Sequence, residues 1–223
     1  VNESLDKRLH LTQVSEAVTV CAQRITQAVR FMATERTSDK ILNVTQELIQ
    51  TRGYSAISFD DIARRVGIKK PSIVHHFSNK AALVAAVVER YRSGFLELLK
   101  AQGVENNVSH NLLVYFTPYL QFGESGDQVC LCGALAGEFA ALPDAVQSQV
   151  SDFFNEQKAW LKDQVSQGQS NGEIKSNRDP AATAGWILNT LQGALLIKRA
   201  TGDAEHVIDA VETIKAMLGI KAI

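Results

Sequence analysis

Gly53-Tyr-Ser-Ala-Ile-Ser-Phe-Asp-Asp-Ile-Ala-Arg-Arg-Val-Gly-Ile-Lys-Lys-Pro-Ser-Ile-Val-His-His-Phe77, followed by Ser78-Asn79-Lys80, reads as helix, turn, helix. Ser58 has the side chain of an N-cap, and Asp61 three residues on completes a capping-box-like pattern, so a helix is predicted to start at Phe59. Its inward face is Phe59, Ile62, Ala63 and Val66. Gly67 supplies the backbone freedom that ends this helix and redirects the chain. Lys70-Pro71 opens the next one, where proline is tolerated because a first-turn N–H has no intrahelical partner.

In that second helix Ile73 and Phe77 are four residues apart and predicted to face the core, which leaves Lys70, Pro71, Val74 and His75 on the outer face. An outer face of this kind can enter a DNA major groove. Lys69 and Lys70 stand at the helix N-terminus, whose partial positive charge and free N–H groups suit phosphate oxygens. Ser58 and Ser72 can donate hydroxyl hydrogen bonds, and Lys80, opening the following helix, can clamp the backbone further along. Base edges would be read by side chains such as Lys70 and His75, with His76 beside them. The duller alternatives stay open: a helical hairpin that never meets DNA, histidines 75 and 76 that simply sit at the surface, and a Lys69, Arg64 or Arg65 that is only solvated. Metal binding by the adjacent histidines is disfavoured because neighbours on a helix point about 100° apart.

The charge distribution agrees. Over 34–80 there are eight basic residues against five acidic ones, a net +3 in a chain whose whole charge is −1. Positive potential is thus gathered where a polyanion could be held. With 223 residues, 45% hydrophobic and 21% charged, the chain has material for a sizeable core in one or two domains. Its longest apolar stretches fall far short of the roughly 20 residues of a membrane span. No basic, apolar, small-residue leader is legible at the start, and Cys21, Cys130 and Cys132 do not make a disulfide framework, so a reducing cytoplasm is expected.

Outside this stretch apolar residues recur at three- and four-residue spacing and alternating strand patterns are scarce, which predicts an all-α fold of about nine helices. The first three run over 38–52, 59–66 and 70–77, a long fourth over 80–101, and five follow. Residues 1–33 are an extension, either an amphipathic helix through Leu11, Val14, Val18, Cys21, Ile25, Ala28 and Met32 or upstream translation before Met32. The headpiece is assigned to 34–80 and a larger helical domain to 81–223.

In that larger domain Phe95, Phe116, Tyr119, Phe139, Trp160 and Trp186, with His110 and Asn189 as polar partners, are candidates to line a small-molecule pocket, although ordinary core packing is the favoured reading for any one of the aromatics. Tyr115, Phe122 and Gln192 are further candidates of the same kind. The small and apolar residues of 180–218, among them Leu188, Leu191, Leu195, Leu196, Val207, Ile208, Val211, Ile214 and Leu218, suit a homodimer made by pairing two helical hairpins, unless one chain buries those faces itself. Cys130-Leu-Cys132 is read as core packing, with a redox or electrophile sensor as the alternative. No Ser/His/Asp set, Gly-rich phosphate loop or metal-ligand spacing is legible, so neither enzymatic activity nor a cofactor is expected.

The headpiece resembles the TetR (tetracycline repressor) family through Gly53-Tyr54, Asp61-Ile62-Ala63, Gly67-Ile68, Lys70, Ser72-Ile73, His76-Phe77 and Lys80, about 47 residues in all. The segment from Cys130 to Pro143 is similar to C-terminal segments in a subset of the same family. The resemblance implies a transcriptional regulator, typically a repressor, in which the second of these helices meets a double-stranded palindromic operator. It also implies a variable body that binds an effector and dimerises through its last two long helices. A ligand-binding module that has lost DNA affinity is the competing reading. One departure is Val74, where the family usually has tyrosine; a hydroxyl contact is lost and an apolar contact to a thymine methyl can replace it.

Overall fold

The computed structural model describes residues 36–101 and 107–220, and its residues from Ser38 onward form one compact unit. The extension expected over 1–33 lies outside the described residues. Among the described residues nine α-helices follow one another: α1 Thr37–Arg52, α2 Phe59–Val66, α3 Lys70–His76, α4 Lys80–Ala101, α5 Val108–Glu124, α6 Leu131–Ala136, α7 Asp144–Asn171, α8 Pro180–Thr201 and α9 Glu205–Leu218. A 3-10 turn, Phe139–Ala141, separates α6 from α7. No strand occurs among the described residues.

Local chemistry sets these boundaries. Ser58 is extended and forms a reciprocal capping box with Asp61, which starts α2 where its spacing predicts. Gly67 adopts φ +79°, and the N–H groups of Gly67 and Ile68 both close on the Ala63 carbonyl at 3.0 Å. A side chain at position 67 would be strained in that conformation. Asp179 caps α8 ahead of Pro180, accepting from the Ala182 N–H at 2.7 Å.

The three short helices form a headpiece whose interior is Ile41, Leu48, Ile49, Ile57, Ile62 and Ile73, all buried. α4, about 33 Å long at 1.5 Å per residue, starts beside that headpiece and runs along α7. Its Leu83, Val84, Val87 and Val88 are fully buried, so the core continues from headpiece into body. In the body α7 packs on α8, α8 on α9, and α5 against α7, α8 and α9. Lys198 of α8 is buried, and its ammonium donates to the carbonyls of Phe122 and Gly126, closing the C-terminal end of α5.

Two details of the dimer expectation change. Leu188, Leu191, Leu195, Val207, Val211, Ile214 and Leu218 are buried within the single chain, where α8 packs on α9 and α5. The periodic apolar stripe that stands out in the sequence is the stripe the chain uses for itself. The large apolar side chains left exposed on the same two helices are Leu196, Ile197, Ile208 and Met217.

Candidate nucleic-acid interface

α2 and α3 pack through Ile62, Ala63 and Ile73, with Phe59, Val66, Ile68 and Phe77 half-buried around them. Ile73 has no exposed surface. Because α3 turns 100° per residue, burying Ile73 turns Pro71, Ser72, Val74 and His75 to the outside, and all four are exposed, as are Lys69, Lys70 and His76. Val74 keeps 47% of its surface.

The polar groups of this face are not equivalent. The Lys69 carbonyl accepts from the Ser72 N–H at 2.9 Å, but its exposed ammonium has no hydrogen-bond or ion-pair partner among the described residues. Lys70 Nζ lies 2.9 Å from Asp60 Oδ2, an exposed pair of the kind that contributes little and exchanges readily with another anion. Arg65 pairs with Glu47, and Arg64 approaches Asp61 at 3.6 Å, which holds part of the positive charge of α2 close to acids. The rings of His75 and His76 meet edge to face at 5.4 Å.

Two expected contacts are altered. The Ser58 hydroxyl donates to Asp61 Oδ2 at 2.5 Å, so its proton is committed to the α2 cap rather than to a phosphate. That same hydrogen bond is the main reason the Asp61 carboxyl is held below its ordinary range. Lys80 turns inward: its ammonium donates to the Tyr54 carbonyl at 2.7 Å and stands 4.1 Å over the Tyr54 ring. Burial lowers its pKa, opposed by the charge of Glu138. The sequence reading missed this because a lysine opening a helix looks the same whether it points outward or back across the preceding corner.

A short helix whose outer face is basic and apolar, set at a fixed angle on a second helix by a left-handed glycine turn, is the geometry of a helix-turn-helix reader. The family profile described as bacterial regulatory proteins, tetR family, matches residues 41–87, and the one described as tetracyclin repressor-like, C-terminal domain, matches 112–214. The chain belongs to the TetR family. It is 26% identical over 156 residues to the transcriptional regulator AcuR of Cereibacter sphaeroides, spanning 67% of this chain and 70% of that one. It is 25% identical to the HTH-type transcriptional repressor DhaR of Mycobacterium sp. (strain GP1), spanning 65% and 73%. A crystal structure of a TetR transcriptional regulator from Legionella pneumophila superposes with a TM-score of 0.75 at 29% identity, covering 84% of this chain and all of that one. This TetR-family protein is accordingly a DNA-binding transcriptional regulator.

Of the pocket candidates in the TetR-type body, the structure gathers Phe95, Phe116, Tyr119 and Trp160 around Tyr115. Trp160 stacks on the Tyr115 ring at 5.5 Å, and Phe95 meets it edge to face at 5.9 Å. Inside this aromatic cluster the Tyr115 and Tyr119 hydroxyls donate to Gln157 Oε1 at 2.8 and 3.1 Å, and Gln192 Nε2 donates to the Tyr119 oxygen at 3.2 Å. Burial pushes both phenols well above their ordinary pKa, so they remain protonated donors. Gln157 is buried and its Nε2 has no partner among the described residues. Sequence reading passed over Gln157, since a glutamine on a long helix is normally solvated.

The other candidates separate. Trp186 is half-buried against the core, and His110 lies in the first turn of α5, where its N–H donates to Asn107 at 2.9 Å. Phe139 and Asn189 are exposed and belong to no buried pocket. Phe139 sits on the isolated 3-10 turn, whose three residues all face solvent, a feature that helical periodicity does not register. Asn189 lies about 200° around α8 from Ile187, which is buried. Cys130 and Cys132 are free buried thiols; the Tyr91 hydroxyl approaches the Cys130 sulfur at 3.7 Å, and burial raises the Cys132 pKa. A protonated buried thiol is a poor nucleophile, which favours packing over sensing.

Proposed function

We propose that this protein is a homodimeric repressor that binds a palindromic operator with α3 in the major groove and leaves it when a small molecule occupies the body. The observation that carries the reading is the outer face of α3, where full burial of Ile73 presents Pro71, Ser72, Val74 and His75 together. In this arrangement Lys69 and Ser72 contact phosphates, Val74 meets a thymine methyl, and Lys70 and His75 meet base edges, with His76 at the margin. Lys70 first gives up Asp60, and Ser58 and Lys80 hold the headpiece together. The repressor name of the Mycobacterium relative supports the sign of regulation, and the exposed Leu196, Ile197, Ile208 and Met217 support pairing through α8 and α9. The effector is assigned to the aromatic cluster around Tyr115, where an orphaned Gln157 amide donor offers a ligand oxygen a ready partner. Action in the cytoplasm as a regulator, without a catalytic step, completes the reading.

Selection of duplexes from a random-sequence pool, followed by sedimentation of the complex, tests it. The expected outcome is an inverted repeat with half-sites one helical turn or more apart, about 34–36 Å or an in-phase multiple, bound by an even number of chains. A monomer on a single asymmetric site, or no enriched sequence, would contradict it.

A further inference from the structure

The corner between α1 and α2 is held by groups that come from far along the chain. Gln50 Nε2 donates to the Val129 carbonyl at 3.0 Å, and the Val129 N–H donates back to the Gln50 carbonyl at 3.3 Å. Arg199 of α8 donates to the Thr51 carbonyl at 2.5 Å. Carbonyls at the end of a helix have no partner within it, so the body supplies the C-terminal cap of α1. Immediately past α6, Glu138 then takes the next two N–H groups: Tyr54 donates to Oε1 at 2.7 Å and Ser55 to Oε2 at 2.9 Å. Lys80 holds the Tyr54 carbonyl from the other side. Gly53, at φ +86°, sits so close to the carboxylate that a Cβ there would overlap Oε1.

We infer that Glu138 is a positioning residue for DNA binding: its carboxylate, which does not meet DNA, fixes the corner from which α2 and α3 are presented. Ser58, the cap of α2, follows Ser55 by three residues, so little slack separates the clasp from the reading helices. Two half-sites in register require both copies of α3 at a set separation, whereas loose binding to any duplex requires only phosphate contacts. Freedom at the corner therefore weakens specific binding more than non-specific binding, because the ordering cost is then met on association. Burial pushes the Glu138 carboxyl up, but hydrogen bonds from Ser55 and Tyr54 and the charge of Lys80 outweigh it, so the group stays ionised at neutral pH. The inference rests on the two-half-site reading above.

Glu138→Gln in the full chain tests it, since the amide is nearly the same shape but turns an NH2 group toward a backbone N–H. Affinity is measured for the duplex that the unmodified protein selects and for an unrelated duplex of equal length, with melting temperature and amide exchange alongside. The expected result is a loss of about tenfold on the selected duplex and less than about twofold on the unrelated one. The Tyr54 and Ser55 amides exchange faster, the Phe77 amide is unchanged, and Glu138→Asp, which keeps the charge, falls between. Equal losses on both duplexes, or no loss on the selected one, would overturn the positioning role. If the unmodified protein selects no duplex, the operator reading fails separately, and unchanged exchange at Tyr54 and Ser55 in the variant would still overturn the clasp.

Discussion

The headpiece and the body of this protein are stabilised by polar groups of different kinds. On the outer side of α2 and α3 they are exposed and lie within the headpiece: Ser58 with Asp61 three residues on, Lys70 with Asp60, Arg65 with Glu47, while the corner behind them is tied to the body through Gln50, Tyr54 and Ser55. Around Tyr115 in the body they are enclosed and distant, as where Tyr115 reaches Gln157 in the buried core and the part-buried Gln192 reaches Tyr119 from 73 residues away. Exposed pairs cost little to exchange for another partner, whereas buried ones are expensive to leave unmade. Lys70 can therefore exchange Asp60 for another partner at small cost, whereas leaving the Tyr115 or Tyr119 hydroxyl without Gln157 is costly.

The largest effect that can break this contrast is expected at a residue where the headpiece behaves like a core. Ile73→Ala should cost about 2–5 kcal/mol in chemical denaturation, because a fully buried side chain leaves a cavity between α2 and α3. A cost below about 1 kcal/mol would mean that the headpiece is loosely packed and that the exposed face of α3 is not fixed by it.

Next comes the body. Gln157→Leu leaves the Tyr115 and Tyr119 hydroxyls without their shared acceptor, at a cost of about 1–3 kcal/mol per group left unpaired. The same variant also removes the orphaned Nε2, which offsets part of that loss. A net destabilisation is predicted, and a variant more stable than the parent would show that the phenols re-pair without Gln157.

The difference between the regions also decides what could be read in advance. Every helix of the headpiece was legible because its signals are local: a cap at Ser58, a stop at Gly67, a proline at 71, and apolar spacing that turns Ile73 inward. Lys80 was read as a DNA contact because its inward partner, Tyr54, lies 26 residues away and carries no mark of the pairing. Glu138 and Gln157 were missed for the same reason, since their partners are set by how helices dock. Phe139 and Asn189 failed as pocket residues because aromatic or amide character says nothing about which side of an element faces inward.

A smaller effect is expected at the cap. Ser58→Ala should cost about 1 kcal/mol, and the loss should show in headpiece stability before it shows in the body. The pH dependence sharpens this. Asp61 and Glu138 both titrate below their ordinary values in the folded chain, so the stability they add is complete above about pH 5 and is lost as pH falls through their folded pKa values. Denaturation midpoints measured across pH should therefore owe no slope to these two groups between pH 6 and 8, and Ser58→Ala should narrow the acid-side fall.

The most direct test of the central claim, that the outer face of α3 reads DNA, is a paired titration of Lys69→Ala and His75→Ala on a selected and an unrelated duplex at several salt concentrations. Lys69→Ala should weaken both complexes by similar factors and reduce the salt slope by about 1, as expected for one phosphate contact. His75→Ala should cost about 1–3 kcal/mol on the selected duplex, much less on the unrelated one, and relax the preference at one position in each half-site. If neither substitution changes binding to either duplex, a different face of this headpiece meets DNA and the account is contradicted.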